Sequence, residues 1–174
     1  MRVRRFLTIL ALLLLGIWLG AAIFFSAAVA PSVFSVLRGA DLANANALAG
    51  SIITRLLTII NQGGFEIGLF LLVMSFFTGY DQSKWVRVSR MISLAIMVIM
   101  TGIGQWVIAA RMSALKAAMQ LPIDQIAADD PRRTAFSNLH RYSVLVLAVA
   151  LCSGFAAFIL TTVRANRRIS ETSS

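Results

Sequence analysis

The residues of this chain best placed to do chemistry are a carboxylate and two amides set inside apolar sequence. Glu66 stands in the stretch NQGGFEIG at 61–68, four residues after Gln62, and Gln105 stands in TGIGQWVI at 101–108. At about 100° per residue, Ser51, Arg55, Thr58, Gln62 and Glu66 fall on one helical face and Gly64 on the opposite one. A carboxylate on such a face binds a proton or a cation, and neighbouring amides and guanidinium groups orient a small solute. With a helical rise of about 1.5 Å, Glu66 lies about 16 Å from Arg55 and Gln62 about 10 Å, while Gln105 lies about 9 Å from Arg111. The two glutamines therefore come level, and a hydrogen bond between them is expected. His140 and Arg141 open a further apolar segment on the same side. The expectation is a polar funnel, with Arg55, Arg111 and His140 at its rim and Glu66 at its floor.

These residues need helices to hold them, and the composition says where those helices sit. The 174 residues are 59% apolar and 13% charged, with a net charge of +9. Soluble chains run at roughly 45–50% and 25%, so this is a membrane composition. The arginines cluster at the ends of apolar runs and form no stripe interleaved with aromatics, which argues for lipid headgroups as partners and against nucleic acid. The one cysteine, Cys152, excludes a disulfide framework and reads as a small packing residue. The first apolar run is too long for a secretory signal, and Pro31 would follow its best cleavage site, so a retained helix is expected.

A spanning helix takes about 20 mainly apolar residues. Four helices are expected at about 6–34, 47–79, 87–118 and 134–164, followed by a polar tail at 165–174. The fold class is an all-α integral membrane protein, a four-helix up-and-down bundle in a single domain covering 1–174. The short connections make consecutive helices antiparallel neighbours. Two GxxxG motifs, Gly16 with Gly20 and Gly64 with Gly68, let backbones approach closely. They are read first as contacts within the monomer and second as faces of a homodimer. Asp124, Asp129 and Asp130 belong to a loop or a helix N-terminus, where the dipole favours carboxylates. The placement of Arg2, Arg4, Arg5, Lys84, Arg87, Arg90, Arg164, Arg167 and Arg168 favours cytoplasmic N- and C-termini. The Ala- and Arg-rich composition points to a bacterial inner membrane.

Every candidate also has a plainer use. Glu66 serves as well as a protonated acid bonded to Gln105 or to a backbone carbonyl, since a neutral acid costs less in lipid. Arg55 and Arg111 suit snorkelling to headgroups, and His140 lacks the companions of a metal site. The tryptophans and tyrosines suit interfacial belts or packing. There is no Ser-His-Asp set, GxSxG, phosphate loop or HExxH. No enzyme activity, metal or resident cofactor is expected.

Several stretches resemble a known family. Trp18-Leu19-Gly20, Phe24-Phe25 and VAPSVF at 29–34 resemble the first helix of the transmembrane protein 205-like family, a domain of unknown function. Ala49-Gly50 and FSNLHRYS at 136–143 fit the openings of its second and fourth helices. The resemblance implies a four-helix membrane fold and brings no biochemical activity. Ala110 stands where members tend to carry a proline before the arginine. A fainter similarity, in the spacing of Trp18, Gly20 and Pro31, reaches copper-resistance D type proteins and four-helix membrane protoporphyrinogen oxidases. Those oxidases place a haem-ligating histidine where this chain has Ala11.

Two functions from different classes follow. In one, the bundle binds or moves a small solute or cation through a polar pocket centred on Glu66. In the other, the chain is a non-catalytic scaffold or assembly partner, and the polar stripe joins helices.

Overall fold

The computed structural model describes residues 2–40, 42, 44–78, 83–119 and 130–172. Tyr80, Asp124 and Asp129 lie outside the described residues, as does most of the second and third connections. Among the described residues, six α-helices and two π-helical turns build the fold: α1 (Arg2–Phe24), a π turn (Phe25–Val29), α2 (Ala30–Gly39), α3 (Ala45–Thr78), α4 (Lys84–Gly102), a second π turn (Ile103–Ile108), α5 (Ala109–Met119) and α6 (Pro131–Thr172). The π turns interrupt without breaking, so four continuous rods result. Each rod holds a segment long and apolar enough to cross a membrane: Arg5–Gly39, Ala45–Phe76, Lys84–Met119 and Pro131–Val163. The protein is an integral membrane helical bundle.

The first, third and fourth rods run beyond both ends expected from hydropathy, and α6 continues through much of the stretch read as a polar tail. A rod of 36 residues is about 54 Å long, against roughly 30 Å of hydrocarbon. Its ends therefore stand among headgroups. The first π turn lies just before Pro31, the residue that cannot donate to the preceding turn.

The first rod packs on the second and fourth, and the third packs on the second and fourth, which closes a ring. Each rod turns inward a row of residues spaced alternately three and four apart. On α4 and beyond, the row is Arg90, Leu94, Met97, Thr101, Gly104 and Ile108; on α6 it is Ser143, Leu147, Ala150, Gly154, Ala157 and Thr161. This is the seam spacing of coiled-coil packing.

At the centre stands Trp18 of α1, 4% exposed, whose Nε1 donates to the Ile60 carbonyl of α3 at 2.9 Å. Two glycines make room for its ring. A Cβ at Gly64 would lie 2.6 Å from Trp18 Nε1, and one at Gly154 2.9 Å from Trp18 Cζ3. Without a hydrophobic force pressing helices together in lipid, such close approach carries much of the association.

Candidate functional site

α3 decides which of the sequence-derived residues meet. Its inward row is Asn61, Gly64, Gly68, Leu71 and Ser75, all buried. A Cβ at Gly68 would stand 2.8 Å from Val98 Cγ2, and one at Gly104 2.9 Å from Asn61 Nδ2. The glycine face and the polar stripe lie on opposite sides of one helix, and the glycine face is the one turned inward. The expected orientation of the stripe is thus corrected: Ser51, Arg55, Gln62 and Glu66 are exposed on the outer surface of the bundle. Close packing needs small residues inside, and two polar side chains, Asn61 and Ser75, go in with them.

On the outer face, Gln62 Nε2 donates to Glu66 Oε1 at 3.1 Å. The hydroxyls beside it turn back to their own helix: Ser51 to Leu48 O at 2.7 Å, Thr54 to Gly50 O at 2.6 Å and Thr58 to Thr54 O at 3.0 Å. These satisfy themselves and need no partner. Glu66 and Gln62 satisfy each other only in part, because a carboxyl and an amide together hold more donor and acceptor positions than one bond fills. Gln62 lies at the middle of the 34-residue helix, and Glu66 one turn further on.

The hydrogen bond expected between Gln62 and Gln105 is not made. Gln105 lies in the second π turn, and its Oε1 is buried without a partner. Beside it Trp106 meets Phe65 edge to face, with ring centroids 4.7 Å apart. Arg55, Arg111 and His140 are all exposed, and among the described residues no hydrogen bond links them to Glu66, Gln62 or Gln105. They do not rim a funnel leading to Glu66. At that end Arg38 Nε donates to Asn46 Oδ1 at 2.9 Å, and the Lys116 ammonium lies 5.6 Å from the Phe136 ring centre.

Asp130 caps α6, accepting from the Arg132 backbone N–H at 2.8 Å and from its guanidinium at 2.7 Å. These bonds to Arg132 hold the Asp130 carboxyl below its ordinary range. Cys152 is exposed rather than packed, and Trp85, Trp106 and Tyr142 are also exposed.

The family model for Domain of unknown function (DUF4149) matches residues 13–120. The chain belongs to this family. The match takes in the larger part of the first rod and all of the second and third, so Trp18, Asn61, Gly64, Glu66 and Gln105 are DUF4149 residues, whereas His140 lies beyond it. No characterised protein and no solved structure matches the chain.

One residue was misread from the sequence. Arg90 counts there only as a charge at a helix end, yet it is 5% exposed, with Nε and Nη2 buried and unpartnered. Its spacing from Leu94, Met97 and Thr101 is the signal that would have placed it inside.

Proposed function

We propose that the chain is an assembly element of the membrane that works as a homo-oligomer, joined along the outer face of α3. The observation that carries this reading is the bonded Gln62–Glu66 pair facing outward at mid-depth. The outer faces of the other rods are apolar in their middle parts, with Ile17, Ile23, Ile96, Ile99, Val149 and Phe155 exposed. Those suit acyl chains, while a carboxyl and an amide do not. A second copy fits them best. A two-fold axis along the membrane normal brings identical residues to identical depth, and each pair offers both donors and acceptors, so two pairs complete each other. Gly64 and Gly68 are filled from within the chain, and Gly16 faces Phe158, whereas Gly20 has nothing within 4 Å. We therefore prefer the outer face of α3 as the seam to the Gly64–Gly68 face, which the chain fills itself.

The test uses chains carrying Cys152→Ser together with Ile59→Cys or Val73→Cys in vesicles. Both are expected to cross-link as dimers, and Ile17→Cys, on the outer face of α1, is not. Removing the pair with Gln62→Ala and Glu66→Ala is expected to weaken dimerisation roughly 7–900-fold, from two interhelical bonds of about 0.6–2 kcal/mol each. Equal cross-linking at positions 17, 59 and 73 would overturn the seam.

A second reading rests on the same geometry. Two Gln62–Glu66 pairs facing each other would form an enclosed polar site between copies, in which Glu66 takes up and releases a proton as a small solute or cation enters. Under this reading Glu66→Gln keeps the dimer and abolishes proton-coupled uptake or efflux. We further infer a transmembrane protein 205-like member of DUF4149, supported by the VAPSVF and FSNLHRYS stretches. Cytoplasmic termini and a bacterial inner membrane are supported by the arginine distribution and composition, and reporter fusions at each terminus test the topology.

A further inference from the structure

Arg90 poses a problem that the dimer seam does not solve. It projects from α4 into the bundle on the row of Leu94, Met97 and Thr101, and no carboxylate lies among the described residues around it. The two atoms left without partners, Nε and Nη2, are not an arbitrary pair. They form one edge of the guanidinium, the side-on fork whose parallel N–H groups match two oxygens of a single oxyanion. One turn earlier Arg87 Nε is also buried and unpartnered, which adds positive charge and relieves nothing.

The space beside Arg90 has a fitting size. A cavity of about 30 Å³ there is walled mainly by apolar side chains of α1 and α3, and its polar groups are Arg90 of α4, Thr8 of α1, Ser75 of α3 and Thr161 of α6. At about 10–15 Å³ for each water-sized group, it holds about two such groups. That is room for two oxygens of an anion whose remainder lies at the mouth. Ser75 and Thr161 hydroxyls donate to Leu71 O and Ala157 O, both at 2.7 Å, so the arginine edge is the strong donor present. Arg90 lies six residues beyond Lys84, about 9 Å along the helix axis, at the depth where headgroup phosphates meet acyl chains. Charge, donor geometry, volume and depth agree.

We propose that the cavity bounded by Arg90, Ser75 and Thr161 binds a phosphate oxyanion, two of whose oxygens accept from Nε–H and Nη2–H of Arg90. The phosphate comes either from an anionic lipid headgroup or from solution. The purified, delipidated full chain in dodecyl maltoside is titrated with phosphatidylglycerol, with phosphatidylcholine and with inorganic phosphate while its thermal unfolding is followed. A saturable rise in Tm is expected. Phosphatidylglycerol acting without inorganic phosphate assigns the headgroup, and inorganic phosphate acting alone assigns the free anion.

Arg90→Lys keeps the charge and loses the fork, and is expected to weaken binding at least tenfold. Ser75→Asp retains Arg90 and supplies an internal carboxylate, so it is expected to raise the ligand-free Tm and abolish the response, which keeps the test decisive if Arg90→Lys does not fold. No saturable response to either phosphate source overturns the proposal. So does an undiminished response in Ser75→Asp.

Discussion

Neighbouring glycines at 63 and 64 should respond to alanine in opposite directions. At Gly64 an added Cβ meets Trp18 Nε1 at 2.6 Å, Trp18 Cε2 at 2.7 Å and Thr101 Cγ2 at 2.9 Å. The indole cannot retreat easily. Its Nε1 is tied to Ile60 O at 2.9 Å, and its far edge lies against Gly154, where a Cβ would approach Cζ3 to 2.9 Å. Overpacking costs about 1–3 kcal/mol, and breaking the indole hydrogen bond adds about 0.5–1.5 kcal/mol. Alanine's better helix propensity returns about 1 kcal/mol. The net loss expected for Gly64→Ala is about 0.5–3.5 kcal/mol. A Cβ at Gly63 has nothing within 4 Å, so Gly63→Ala keeps only the propensity gain. Reversible unfolding in mixed dodecyl maltoside and SDS, followed by circular dichroism, measures both. In a Trp18→Leu background the Gly64→Ala penalty should shrink by at least about 1 kcal/mol, the coupling expected of residues in contact. Equal stability of the two alanine variants would refute the central place given to Trp18.

Three further outcomes follow from the same contacts. Met97 is 0% exposed and lies between Gly68 and Gly154, so Met97→Ala should cost about 2–5 kcal/mol, read by the same unfolding assay. Asp130 is held low by Arg132, so its contribution is full above about pH 4, the ordinary range of an aspartate, and is lost as pH falls below it. Asp130→Asn should flatten the acid limb of a stability profile and speed hydrogen exchange in the first turn of α6. Glu66→Leu with Gln62→Leu should leave monomer stability unchanged or raised, because the pair faces outward, while it weakens self-association measured by energy transfer in vesicles.

Hydropathy alone places the four rods, because crossing a membrane demands about 20 apolar residues and little else in this chain satisfies that demand. The inward faces are harder to read. α3 carries a glycine row and a polar row on opposite sides, and both have reasons to avoid lipid. Burying polar groups is the stronger rule for one isolated helix. In this bundle the size of Trp18 decides, because its ring fits only against Gly64 and Gly154, a pairing between distant segments that periodicity does not show. Arg90 was legible from spacing, since it shares a row with Leu94, Met97 and Thr101. Its nearness to Lys84 and Arg87 hid that row behind the general rule for arginines at helix ends. The Gln62–Glu66 bond was within reach at four residues' separation, yet which side of the helix it occupies depends on the packing of the other three rods.

The most direct test of the α3 seam is the distance between spin labels at Ile59 in one copy and Ile59 in another, measured by pulsed dipolar spectroscopy in vesicles. A helix pair joined along this face sets backbones roughly 8–10 Å apart, so a short, narrow distance is expected at Ile59 and a much longer one at Ile96 on the outer face of α4. A longer separation at Ile59 than at Ile96, or no dipolar signal at either, would mean that Glu66 and Gln62 face something other than a second copy of this chain.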